Sequence, residues 1–97
     1  MKNCLVSDIS HVLSLKKYNH NHDIIITLLD KHHFEYSNKI KQNANIHFEE
    51  FFTDTENFKD PEAITKEQTE RVINVFKKII NNKEINNVLI HCFAGAS

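Results

Sequence analysis

The chain has little of what tight backbone geometry needs: one glycine, Gly95, and one proline, Pro61, in 97 residues. Glycine lets the backbone turn or approach a ligand without a Cβ in the way, so that freedom is confined to one place, beside a cysteine. Two cysteines, Cys4 and Cys92, are too few for a disulfide scaffold. There is a single arginine, Arg71, and no tryptophan. Net charge is nearly absent: 12 Lys+Arg stand against 13 Asp+Glu, leaving −1. That balance excludes the broad positive field expected of a protein that works on nucleic acid or acidic lipid. No apolar run approaches the roughly 18 residues of a membrane span. The N-terminus MKNCLVSDIS carries no charged-then-apolar leader with a small-residue cleavage site. With 40% apolar and 26% charged residues, the expectation is one small cytoplasmic domain, neither disordered nor membrane-bound.

What is present is an alternation of short apolar runs with helical stretches. Residues 3–6 (NCLV) form a weak first strand, and Ser7 or Asp8 caps a helix running to about Lys17 with Ile9, Val12 and Leu13 on one face. Residues 23–29 (DIIITLL) are β-branched and apolar on both faces, which predicts a central strand. Residues 30–44 are polar without a sustained period and read as loop with at most one helical turn. Residues 45–52 (NIHFEEFF) begin with period-2 alternation and predict a third strand, Ile46 and Phe48 inward. After a polar stretch, Thr65 and Gln68 read as a capping box opening a helix whose apolar stripe is Val72, Ile73, Phe76, Ile79 and Ile80. Residues 88–90 predict a short buried strand. Strands alternating with helices imply an α/β fold with right-handed crossovers and a central, mostly parallel sheet flanked by helices.

The last strand runs directly into His91-Cys92-Phe93-Ala94-Gly95-Ala96-Ser97. In an α/β sheet, ligands bind beyond the carboxyl ends of the strands. A loop there can converge its N–H groups on an anion, helped by the dipole of a following helix. The same field lowers the pKa of Cys92 toward a thiolate nucleophile. Gly95 lets the backbone approach the ligand, and Ser97 can hydrogen-bond the Cys92 sulfur as a leaving group.

The segment VLIHCFAGAS resembles the signature of the protein tyrosine and dual-specificity phosphatase superfamily, H-C-x-x-G-x-[S/T]-R at the end of a strand. The specific part of the resemblance is these ten residues; element order extends it back to about Cys4. The resemblance implies that Cys92 attacks phosphorus and forms a cysteinyl-phosphate. It implies further that His91 helps to set the thiolate pKa. The amides of Phe93, Ala94, Gly95, Ala96 and Ser97 hold the phosphate oxygens, and Ser97 assists the second step. It also implies an arginine directly after Ser97 and helices beyond it. The expectation is therefore that residues 1–97 are a single, incomplete phosphatase-like domain, truncated before the loop arginine and lacking the C-terminal helices. Arg71, on the preceding helix, is not expected to reach the mouth of the loop.

Phosphatases of this kind use an acid on a separate loop to protonate the leaving oxygen. Glu49/Glu50, Asp54 and Asp60 are the candidates. Asp54 is favoured because it follows the IHFEEFF strand, and Asp60 comes second because Asp60-Pro61 can itself be a turn. The seven histidines raise a metal reading through His20-x-His22 and His32-His33, but neither pair has a carboxylate or thiol at a convincing spacing. Phe48, Phe51, Phe52 and Phe58 read as packing residues, with no basic stripe beside them to suggest base stacking. Cys4 reads as a core residue. No cofactor is implied. The expected substrate is a phosphorylated protein or small phosphomonoester, on tyrosine or with dual specificity. The alternatives are a catalytically impaired fragment or pseudophosphatase acting as a phosphate-binding module, and, more distantly, sulfur or arsenate transfer on a similar loop.

Overall fold

The computed structural model describes residues 2–52 and 61–93. Its elements, in chain order, are β1 (Asn3–Ser7), α1 (Ile9–Ser14), β2 (Ile24–Asp30), a 3-10 helix (Lys31–Tyr36) running into α2 (Ser37–Asn43), β3 (His47–Phe52), α3 (Pro61–Asn81) and β4 (Asn87–His91). The four strands form one all-parallel sheet in the order β1-β4-β2-β3. The fold is α/β, with helices flanking the sheet.

β2 lies inside the sheet because its sequence has no polar face to give to water. Ile24, Ile25, Ile26, Thr27 and Leu29 are all buried. Its alternate residues feed two separate cores. Ile25 and Leu29 pack with Ile9 and Val12 of α1, Ile40 of α2, Ala44, and Leu89 of β4. Ile24 and Ile26 pack with Ile79 of α3, Ile85, and Val88 of β4. Each fully buried Ile or Leu contributes on the order of 2 kcal/mol of transfer free energy. Thus α1 and α2 cover one face and α3 the other.

The entry of β4 is fastened by Asp23. Its Oδ2 accepts the backbone N–H groups of Asn86 at 2.8 Å and Asn87 at 2.9 Å, while its own N–H donates to the Asn87 carbonyl at 2.8 Å. Those two N–H donors hold the Asp23 carboxyl below its ordinary pKa. The register that follows pairs Ile24 with Val88 and Thr27 with His91.

Several expectations are corrected. α1 is shorter than expected: capped by the Asp8 carboxylate on the His11 N–H at 2.8 Å, it ends at Ser14 because Leu15 is already extended. Within the stretch 30–44 expected as loop, residues 31–43 form a 3-10 helix and α2, which bury only Ser37 and Ile40. Thr65 does not open a helix: α3 begins at Pro61, where a missing N–H costs nothing. Gln68 instead reaches across to β3, donating to the Phe51 carbonyl at 2.8 Å. Ile73 and Ile80 lie outside the buried stripe of α3, and Ile46, expected inward, precedes the edge strand β3 and is exposed. Cys4 is exposed on edge strand β1 rather than buried in a core.

Candidate functional site at the carboxyl end of β4

β4 lies between β1 and β2, so its carboxyl end opens in the interior of the sheet. His91 is its last residue and Cys92 the first beyond it. Two contacts of Phe93 hold the chain as it leaves. The Phe93 carbonyl accepts the N–H of Ile9, the first residue of α1, at 3.1 Å. The Phe93 ring stacks on His33 of the 3-10 helix, with centroids 4.3 Å apart and planes 16° from parallel. Cys92, the residue before Phe93, is half-buried, and neither cysteine is in a disulfide.

His91 is completely buried. Its Nε2 is 2.7 Å from the Thr27 hydroxyl, and its Nδ1 is 3.2 Å from the Cys92 carbonyl. A carbonyl only accepts, so Nδ1 carries the hydrogen and donates to Cys92. Burial pushes the His91 pKa down; the Cys92 carbonyl opposes that shift, and His47 adds to it. The neutral ring therefore presents a lone pair at Nε2, which accepts from Thr27. The Thr27 oxygen is in turn 2.7 Å from Nε2 of His47 on β3. Having given its hydrogen to His91, Thr27 must accept from His47. Three hydrogen bonds thus run in one direction, from His47 through Thr27 and His91 to the Cys92 carbonyl.

The far end of this row is polar as well. His47 Nδ1 is 3.9 Å from the Glu49 carboxylate, which also accepts the Ser37 hydroxyl of α2. Burial is the main cause of a lowered His47 pKa; Glu49 raises it and Lys41 lowers it further. Thr27, His47, Glu49 and His91 occupy alternate positions facing α1 and α2, as Leu29, Phe51 and Leu89 do.

Glu50, one residue on, faces α3 and does something different. Both its oxygens lie 3.1 Å from Arg71 Nε, Oε1 is 2.6 Å from Arg71 Nη2, and Gln68 donates to Oε1 at 3.3 Å. The hydrogen bonds it donates to Glu50 hold the Arg71 guanidinium above its ordinary pKa. This pair clamps β3 to α3. It removes Glu50 as a candidate acid and occupies the one arginine in the chain.

Of the residues expected to act, His91, Cys92 and Phe93 come together at the end of β4. Asp54, the alternative Asp60, and Ala94, Gly95, Ala96 and Ser97 lie outside the described residues. Thr27 and His47 join the site without any motif that points to them. A lone hydroxyl inside the otherwise aliphatic IIITLL strand is the signal that could have found Thr27. Among the described residues no group of three or more His, Cys, Asp or Glu is arranged to hold a metal ion. His20 in particular uses both nitrogens on backbone groups, the Asn43 carbonyl at 2.7 Å and the His22 N–H at 3.2 Å. No described helix is long and apolar enough to cross a membrane. Comparison with protein-family models, curated proteins and solved structures gave no match.

Proposed function

We propose that this chain carries the nucleophile and phosphate cradle of a phosphomonoesterase of the tyrosine or dual-specificity phosphatase type. The observation that supports it most is the HCFAGAS segment leaving an interior parallel strand, with the buried His91 donating to the Cys92 carbonyl. In a trans peptide the C=O and the next N–H point in opposite directions. Fixing the Cys92 carbonyl on His91 therefore turns the Phe93 N–H away from the imidazole, the orientation an anion nest requires.

The reaction has two balanced steps. The Cys92 thiolate attacks phosphorus, a phosphorus–sulfur bond forms, and the ester oxygen leaves with a proton from Asp54. Water, deprotonated by Asp54, then attacks the cysteinyl-phosphate; inorganic phosphate departs and the thiolate returns, assisted by Ser97. The substrate is a phosphorylated protein or small phosphomonoester, and the chemistry needs no cofactor.

One observation favours a second reading. The guanidinium of Arg71 is committed to Glu50, so Arg71 does not serve as a bidentate clamp on transition-state charge at Cys92. Loss of such an anion-stabilising group costs on the order of 10³ in rate. On that reading the chain binds phosphate and turns it over poorly.

Hydrolysis of p-nitrophenyl phosphate by the parent chain and by Cys92→Ser tests the first reading. A parent rate at least ~100-fold above that of the variant is expected if covalent catalysis operates. Equal background rates would overturn it. Titration with phosphate then decides the second reading: saturable binding supports a binding module, and its absence overturns that as well.

A further inference from the structure

We propose that His47 is a positioning residue for Cys92, acting across the sheet through Thr27 and His91 rather than by touching a substrate. The inference deepens the phosphatase reading and rests on it only for the purpose the cysteine serves. The geometry of the row stands by itself.

Three strands each contribute one link. β3 supplies His47, β2 supplies Thr27 and β4 supplies His91, with separations of 2.7, 2.7 and 3.2 Å from His47 Nε2 to the Cys92 carbonyl. A threonine hydroxyl has one hydrogen to give. With the His47 N–H aimed at its oxygen, that hydrogen is directed at His91. His91 is then confined to the tautomer that bears its hydrogen on Nδ1, the nitrogen facing Cys92. Without the His47 donor the hydroxyl is free to rotate, and His91 can take the other tautomer. Its Nδ1 lone pair would then face the Cys92 carbonyl, and the peptide plane that begins the loop would lose its anchor.

The row also decides where an added proton goes. A proton on His91 Nε2 would place two donors on the Thr27 oxygen and leave the threonine hydrogen without its acceptor. A proton on His47 Nδ1 leaves every bond of the row intact. The groups facing that nitrogen are the Glu49 carboxylate of the same strand at 3.9 Å and, from α2, the Lys41 ammonium and the Ser37 hydroxyl held by Glu49. Glu49 favours the proton and Lys41 opposes it. Acidification therefore charges the far end of the row first and keeps His91 neutral beside Cys92.

Two measurements test this. Long-range ¹H–¹⁵N NMR of the imidazoles in the unmodified chain reads the tautomers directly. Hydrogen on Nδ1 of His91 and on Nε2 of His47 is expected; hydrogen on Nε2 of His91 overturns the proposal. The second is the pH profile of Cys92 alkylation by iodoacetamide, followed by mass spectrometry in a Cys4→Ser background. Thr27→Val and His47→Leu should raise the apparent Cys92 pKa by about one unit, whereas Thr27→Ser and His47→Gln, which keep a hydroxyl and a donor, should return it to the parent value. Identical profiles in all variants that retain the parent circular dichroism spectrum overturn the proposal. Because neither readout involves hydrolysis, a chain that fails on p-nitrophenyl phosphate but shows the expected tautomers and profiles refutes the phosphatase reading alone.

Discussion

Glu49 and Glu50 are neighbours in sequence with the same charge, yet they belong to different machines. Strand alternation sends Glu49 toward α2, where a serine hydroxyl and a buried histidine meet it, and Glu50 toward α3, where an arginine and a glutamine do. The Glu50 side is closed: a bidentate guanidinium neutralises a nearly buried carboxylate and joins strand to helix. The Glu49 side is open-ended, because its histidine passes a hydrogen bond to a threonine and onward to the cysteine loop. The lesson is that a carboxylate's role in this sheet follows from the parity of its position, which no inspection of the EE dipeptide reveals.

The sharpest way to break the closed side is Arg71→Ala, which strands the Glu50 charge in a site where the carboxylate side chain is only 10% exposed. A stranded charge costs more than a stranded neutral acceptor, so Arg71→Ala should lower Tm more than any substitution in the His47–Thr27–His91 row, with no change in the pH profile of Cys92 alkylation. Thr27→Val should come next. It leaves the buried His91 acceptor unsatisfied at a cost of about 1–2 kcal/mol, and unlike Arg71→Ala it should alter Cys92. A thermal melt and an alkylation profile on both proteins separate a clamp from a relay.

Acid should sharpen the comparison further. Burial holds His47 and His91 below the ordinary imidazole value of 6.5 in the fold. Between the folded values and 6.5 the unfolded chain therefore binds more protons, and stability rises with pH through that window. The contribution is fully present above 6.5 and is lost as pH falls through the window. Tm should drop on acidification across this range, and His47→Gln, which keeps the donor but cannot be protonated, should flatten the slope. An unchanged slope would show that the row does not titrate as described. The smallest effect is expected from Glu49→Gln, which keeps an acceptor for Ser37 and removes only the charge near His47. It should lower the His47 pKa measured by NMR and leave Tm nearly unaltered.

The architecture was legible where residues had one physical option. IIITLL has no polar face, so its central position followed, and the alternation of apolar runs with helical stretches implied a parallel sheet. Residues 31–43 were not legible, because two short helices that bury only Ser37 and Ile40 leave no apolar period to read. The capping-box reading of Thr65 and Gln68 failed because Gln68 is bound by tertiary contacts to β3, which outweigh a local pattern. At the site, Cys92 and His91 stood out through their sequence neighbours. His47 could not, since its significance lies in a register that brings β3 and β4 to either side of Thr27.

The central claim is that Cys92 is a nucleophile toward phosphorus. Acid quench of the parent chain during turnover of p-nitrophenyl phosphate, followed by peptide mass spectrometry, tests it most directly. A phosphoryl group on Cys92, absent in Cys92→Ser, is the predicted result. Hydrolysis that proceeds with no phosphoryl group on Cys92, or with one on another residue, would contradict it.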